Sequence, residues 1–468
     1  MLFLFQLKEY HLGRLKAHFE KNALRKYLAV YFTIQYPKFT KKTFIISVAA
    51  LFLESLLVYG ASFLQGIAFY LALILFFVFS PIIFSLLILF LHSFTVILRN
   101  RIISKAKEKR RKLKGLSVIG ITGSYGKTSV KEFLYEILKK KFSVVKTKEH
   151  KNSEMGISET ILRELNEKHE IFICEMAAYS KGGIKLLCDI ADPKVGILTN
   201  INEQHLSTFG LKENIIETKF ELIEYLPENG LAIFNRDSEI INSKIRNLNL
   251  KVKAKIFYST KEESDLYAED IKVEREWLSF KANSKDGDSA SFRVNLLGRH
   301  NVENLLAALS CAKNLGMNLK EISERSSFIR EEMGGMKIVR RKELNLLDAT
   351  YSSNPDGVIA HLEYLKTWDG RKAIVMPCLI ELGLSASKIH KEIGRKIAEV
   401  CDKAIITTSD YFKELKEGAL EAGMNDRDII YLRDANKTLA IVKEFKNRDD
   451  IVLLESRVGK SLIDLLKA

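Results

Sequence analysis

The sequence predicts an α/β protein. A central domain with a mainly parallel sheet is built around a phosphate-binding loop, a smaller Rossmann-like domain follows it, and an α-helical transmembrane hairpin precedes both. Three observations carry this. From residue 115 onward, short apolar runs alternate with helical stretches. Residues 122–129 read Thr-Gly-Ser-Tyr-Gly-Lys-Thr-Ser, between an apolar run, Leu116 to Ile121, and a helical pattern, Val130 to Leu138. Thr43 to Leu98 is 56 residues with no Lys or Arg and one acid, Glu54.

The net charge of +15 suggests nucleic acid until it is located. Residues 1–114 hold 18 Lys or Arg against 4 acids, and the remaining residues hold 55 against 54. The excess flanks the apolar block, a pattern that suits a membrane surface and not nucleic acid. The five cysteines, Cys174, Cys188, Cys311, Cys378 and Cys401, lie far apart, with neither metal-ligand spacing nor a disulfide framework. That agrees with a reducing cytoplasm.

Residues 1–42 form a basic amphipathic region. Leu12, Leu15, Phe19, Tyr27, Tyr31 and Ile34 recur at near-helical spacing, and such a helix either lies on the membrane or packs on the soluble domains. The apolar block follows. About 20 residues span a bilayer, so its length permits two or three crossings. Nine basic residues precede it and nine follow between Arg99 and Lys114. Both flanks should therefore be cytoplasmic and the number of crossings even. The expectation is a hairpin, about 43–63 and 67–92, turning near Gly66 and bent at Pro81, with a basic linker over 99–114. The protein would then be a multi-pass protein of the cytoplasmic membrane with its later domains in the cytoplasm. Glu54 would sit mid-membrane, either as a functional acid or as a neutral, interhelically bonded one.

The central domain is expected over 115–332. Strand, glycine turn, Gly-Lys-Thr, helix is the order a phosphate loop requires. Backbone N–H groups of Gly123, Ser124, Gly126 and Ser129 face the phosphates, Lys127 adds a positive charge, and the Thr128 hydroxyl reaches Mg²⁺. The strict pattern wants Gly at 121, where this chain has Ile121. Strands are expected at Phe142–Lys146, Ile171–Cys174 and Val195–Leu198, with a helix at Ser158–Asn166. Glu175, an acid at the end of a buried strand after a phosphate loop, is a candidate Mg²⁺ ligand. The last domain, 333–468, shows strands at Asn345–Leu347, Ala373–Met376, Ala404–Thr407 and Ile451–Leu454, with helices between them.

The order of motifs is specific. It runs Thr-Gly-Ser-x-Gly-Lys-Thr, Asn152-Ser153-Glu154-x-Gly156, Glu175-Met176, then Thr199-Asn200-Ile201 with His205-Leu206. Gly298-Arg299-His300-Asn301-Val302-Glu303-Asn304 and Asp348-x-x-Tyr351-x-x-Asn354-Pro355 follow. This resembles the Mur ligase family, ATP-dependent amide ligases of cell-wall precursor synthesis, and within it the branch that adds D-alanyl-D-alanine. The resemblance covers roughly residues 115–468, and the family shares the variant loop. It implies ATP and Mg²⁺ as cofactors, with an acyl-phosphate intermediate formed from a substrate carboxylate and attacked by an amine. Lys127 would hold the β/γ-phosphates, Thr128 and Glu175 one Mg²⁺, and His205 a second. Lys219 falls where the family has a carbamylated lysine supporting the second metal. Lys127, His205 and Lys219 would be the catalytic set. Asn304 would meet the adenine side, Asp348 the ribose, and Asn152, Tyr351 and Asn354 the substrates. The implied partners are a muramoyl-peptide acceptor, small-molecule or lipid-linked, an amino-acid or dipeptide donor, and the membrane.

Three departures stand out. The family's hinge Arg is replaced by Gly334-Gly335-Met336-Lys337, so either Lys337, Arg340 or Arg341 substitutes or that contact is lost. Glu455 stands near an expected Lys. The usual UDP-sugar domain is replaced by the apolar block. The last departure keeps open a ligase acting on a lipid-linked or polymeric acceptor, as in poly-γ-glutamate synthetases. The first two keep open a nucleotide-binding scaffold without turnover.

Overall fold

The computed structural model describes residues 40–148, 151–202, 206–351 and 354–467. The amphipathic region up to residue 39 and His205 lie outside them. The chain divides into two compact units, residues 1–105 and 106–468.

In the first unit, helix α1 (Lys41–Ala61) starts at a capping box. The Thr43 N–H donates to the Thr40 hydroxyl at 3.2 Å, and the Thr40 N–H donates to the Thr43 hydroxyl at 2.6 Å. Gly66, with φ +58°, makes the turn to helix α2 (Ile67–Lys112). Ile46, Ala50 and Ile88 are buried. Leu53, Glu54 and Leu57 of α1 line a small apolar cavity with Phe76, Ile83 and Leu87 of α2, so Glu54 faces the partner helix. The outer faces stay apolar, with Phe44, Phe52, Leu71, Ile74 and Phe90 all exposed. The basic stretch expected as a linker is helical. α2 runs through Pro81 and on to Lys112, because 99–112 contains no Gly or Pro and is rich in Lys and Arg, which favour helix.

The second unit contains two sheets. The larger has nine strands: β1 (Ser117–Thr122), β2 (Val144–Lys146), β3 (Ile171–Glu175), β4 (Val195–Leu198), β5 (Leu231–Asn235), β6 (Ala254–Ser259), β7 (Leu266–Val273), β8 (Leu278–Ser284) and β9 (Ser289–Val294). Their order is β2-β3-β1-β4-β5-β6-β7-β8-β9, parallel through β7 and antiparallel only at β7-β8-β9. The smaller sheet has β10 (Lys337–Arg341), β11 (Leu344–Ala349), β12 (Lys372–Met376), β13 (Lys403–Ile406), β14 (Ile429–Tyr431) and β15 (Ile451–Glu455). Its order is β10-β11-β15-β12-β13-β14, parallel except for β10. Both domains are thus α/β with mainly parallel sheets, as the alternation predicts.

The parallel strands read as near-continuous apolar runs because both faces are covered by helices. Helix α3 (Lys127–Leu138) buries Val130, Phe133, Leu134 and Ile137 on the larger sheet beside helix α4 (His300–Asn314), which buries Val302, Leu305, Leu306 and Leu309. In the smaller domain, helix α5 (Pro355–Leu365) and helix α6 (Ala386–Val400) enclose a core around Leu347, Ile374, Met376 and Leu453. Strand order reverses around β1. The loops after β1, β3 and β4 therefore share the carboxyl edge of the sheet, where open α/β sheets place their ligand crevice.

Candidate active site

The phosphate loop is built by its glycines. Gly123 has φ +152°, and a Cβ there would lie 2.0 Å from the Thr199 hydroxyl. Gly126 has φ +80°, and a Cβ there would lie 2.3 Å from Asn304 Oδ1. Only glycine meets both demands, positive φ and close approach. Ile121 needs no glycine, because it is a fully buried strand residue of β1 and the turn begins two residues later. The Lys127 ammonium folds back over the loop, donating to Gly123 O at 2.8 Å and Ser124 O at 2.9 Å. Burial lowers its pKa, and the charge of Glu175 opposes that. Ser124 ties the loop to the segment after β4. Its N–H donates to Asn200 O at 2.7 Å, and its hydroxyl accepts the Asn202 N–H at 3.0 Å.

Glu175 ends β3 and is buried. Thr128 Oγ1 lies 3.2 and 3.1 Å from its two carboxylate oxygens, Asn152 Nδ2 donates to Oε1 at 2.9 Å, and Lys131 Nζ donates to Oε2 at 3.0 Å. The Thr147 hydroxyl accepts the Glu175 N–H at 3.0 Å. Asn152 therefore helps to orient the acid. Lys219 lies on helix Lys212–Tyr225, 4% exposed. Burial first, and then the charge of Lys127, push its pKa down to about 7, with Glu221 opposing. An amine so placed is about half uncharged near neutrality, and the uncharged form is the one that reacts with CO₂ to form a carbamate.

Asn304, on α4, covers Gly126, and its Nδ2 donates to Asn301 Oδ1 at 3.0 Å. Asn301 in turn donates to Leu297 O at 2.8 Å and to Gly334 O at 3.2 Å, tying the loop's neighbour to the domain hinge. Ser129 is buried in the first turn of α3.

The smaller domain reaches this edge through the segment after β11. The Tyr351 hydroxyl is hydrogen-bonded to the Thr128 hydroxyl, and Asn202 Nδ2 donates to Asp356 Oδ2 at 2.5 Å. Asp348 Oδ1 accepts the Thr350 N–H at 3.1 Å and its hydroxyl at 2.7 Å. Asn354 Oδ1 caps α5 by accepting the Gly357 N–H at 2.9 Å, so that oxygen serves the fold. His390 is structural as well: it accepts the Leu379 N–H at Nε2, 2.9 Å away, and its Nδ1 donates to Ala386 O at 2.6 Å.

The hinge departures resolve into contacts away from the loop. Arg340 pairs with Glu276, and Lys337 Nζ lies 4.0 Å from Asp348 Oδ2. Glu455 is buried and bonded at 2.6 Å to His361 Nδ1, so the exchange of Lys for Glu is matched by an imidazole. Sequence reasoning missed Lys131, Thr147 and the Tyr125–Asn200 contact. For Lys131 a signal existed: it stands one helical turn after Lys127 and so shares its face of α3.

Among the described residues, no group of three or more His, Cys, Asp or Glu is placed to hold a metal. Thr128 and Glu175 fit Mg²⁺, which takes one or two protein oxygens and completes its shell with phosphates and water. The loop's two crowded glycines and the helix N-terminus behind them fit a polyphosphate.

Residues 121–312 match the Mur ligase middle domain, and residues 334–457 match the Mur ligase glutamate ligase domain. The UDP-N-acetylmuramoyl-tripeptide–D-alanyl-D-alanine ligase of Bacillus subtilis is 28% identical over 356 residues, covering 75% of this chain and 76% of that one. The enzyme of that name from Buchnera aphidicola is 32% identical over 60% of each chain. Among solved structures, MurF from Thermotoga maritima in complex with ADP superposes with a TM-score of 0.70 at 26% identity, covering 79% of this chain and 83% of that one. MurF from Acinetobacter baumannii gives 0.71 at 25%, covering 79% and 81%.

Proposed function

The chain belongs to the Mur ligase family, and from that premise we propose that it joins D-alanyl-D-alanine to a UDP-linked muramoyl tripeptide. As a family member it is an ATP-dependent, amide-forming ligase that uses Mg²⁺. The observation that carries the reading is the meeting of Lys127, Thr128, Glu175 and Lys219 at one sheet edge, with the smaller domain's Tyr351 against Thr128.

Bound Mg²⁺ would neutralise phosphate charge as the carboxylate is activated. Thr128 and Glu175 would hold that ion. The loop N–H groups and Lys127 would orient the phosphates, at no reorganisation cost because Lys127 is already held over the loop. Lys219, once carbamylated, would present an anion toward a second ion, together with His205. Asn304 and Asp348 would place the nucleoside. The contacts of Tyr351 and Asp356 with the central domain support closure of the smaller domain, which would exclude water from the activated acyl group. The test is release of ADP and phosphate by the purified protein, dependent on both UDP-muramoyl tripeptide and D-alanyl-D-alanine. Nucleotide binding without such release would refute it.

We also propose that α1 and α2 form a membrane hairpin that anchors the ligase at the cytoplasmic face. Two stretches there are long and apolar enough to cross a bilayer, their outer faces are apolar, and basic residues flank them. A second reading has the same ligase acting on a lipid-linked acceptor. It is favoured by the apolar unit that stands ahead of the family domains. Matched UDP-linked and undecaprenyl-linked acceptors, offered with labelled D-alanyl-D-alanine, separate the two.

A further inference from the structure

Lys131 is fully buried, one of few such lysines among the described residues. A buried ammonium is costly unless paired and hydrogen-bonded. Its partners include Glu175 Oε2 at 3.0 Å and Glu132 Oε1 at 3.5 Å. Glu132 is itself paired with Lys146, the last residue of β2. The four side chains alternate in sign, Glu175, Lys131, Glu132, Lys146. Glu132 is shared with Lys146, whereas Glu175 is the nearer carboxylate to Lys131. The remaining contacts of Glu175, from Asn152 and Thr128, are neutral. Lys131 is therefore the cation in contact with the acid that would bind Mg²⁺.

We propose that Lys131 is the resident counter-cation of Glu175, a positioning residue that keeps this acid from recruiting a divalent ion until a nucleotide brings one. Glu175 beside a buried ammonium is a weak ligand for a free divalent cation, because its charge is already answered. A metal that arrives with a polyphosphate brings its own ligands and needs the carboxylate only as one oxygen among six. Lys131 also holds Oε2, so the carboxylate keeps one orientation toward Thr128. The inference rests on Glu175 being the metal acid of the proposed ligase, and its test is made without substrate or turnover.

The experiment uses the full chain without nucleotide and Mn²⁺ as probe, followed by electron paramagnetic resonance and by thermal melting. The wild type should show no saturable Mn²⁺ binding, and its melting temperature should not respond to the ion. Lys131→Met should melt lower, bind Mn²⁺ at least about tenfold more tightly, and regain melting temperature when Mn²⁺ is added. Lys131→Met/Glu175→Gln should lose that binding and melt above Lys131→Met, because the pair is removed together. Equal Mn²⁺ titrations for wild type and Lys131→Met would overturn the proposal. So would additive melting shifts in the double variant. If Lys131→Met does not fold, Glu175→Gln and the double variant suffice: a double variant no more stable than Glu175→Gln overturns it. If the Mn²⁺ titrations and the melts come out as described but no amide is formed, the ligase reading fails and the counter-cation stands.

Discussion

At the residue scale, the candidate site depends on a few groups whose surroundings set their chemistry. Lys127→Ala removes the charge held over the loop, and turnover should fall by at least about a thousandfold with the protein still folded, as measured by ADP release. Lys219 offers a pH test. Its folded pKa, about 7, lies below that of a free lysine, so between these values the unfolded chain binds the extra proton. Stability should therefore rise with pH from about 7 toward about 10, and Lys219→Met should flatten that rise in urea melts taken across the range. Rigorous removal of CO₂ should lower wild-type activity, and bicarbonate should restore it. Unimpaired activity without CO₂ would remove the carbamate from the reading. Lys127, Thr128 and Glu175 were legible because glycines and a Gly-Lys-Thr signature mark the loop and an apolar run marks the strand ending in the acid. Lys131 was overlooked although it shares the face of Lys127 on α3, because a lysine in the second turn of a helix reads as solvated until the fold buries it. Asn354 was legible as a helix opener, because Asn before Pro is a cap signal, and its Oδ1 accepts the Gly357 N–H at the start of α5.

At the element scale, strands buried on both faces announced themselves as apolar runs, and β1, β3, β4, β12, β13 and β15 fall within a residue or two of expectation. The antiparallel strands β8 and β9 did not, because one face is solvated and their burial alternates with Lys, Ser and Asn between apolar residues. The turn between β7 and β8 carries Arg275, whose Nη1 pairs with Asp449 at 2.6 Å and whose Nη2 pairs with Asp369, with Nε donating to Thr367 O at 3.2 Å. The Tyr364 hydroxyl donates to Arg275 O at 2.5 Å. This turn fastens the smaller domain to the central one. The pairs are partly exposed, so Arg275→Ala should cost only about 1 kcal/mol in urea melts. It should slow turnover more than it weakens nucleotide binding, which a comparison of kcat with ATP affinity would reveal. In the smaller domain, His390→Phe would leave the buried Leu379 N–H without its acceptor, and a loss of about 1–3 kcal/mol is expected.

At the scale of the whole molecule, composition located a basic excess around an apolar segment, and the fold places two helices there. The helical character of residues 99–112 escaped notice because a run of like charges reads as an extended linker unless its neighbours extend the helix into it. A reporter fused after Lys114 should be cytoplasmic, and a periplasmic signal would refute the hairpin. One consequence of the parallel sheet concerns synthesis rather than catalysis. Thr128 meets Glu175 across 47 positions, Ser124 meets Asn202 across 78, and Gly126 awaits Asn304 from a helix made still later. The crevice is therefore incomplete on a growing chain until α4 has been made. A ribosome-bound fragment that stops before α4 has its phosphate loop but lacks the asparagine that covers it. Nucleotide protection of such fragments should appear only once that helix has emerged, so ATP is a ligand of the finished domain and not a template for its assembly.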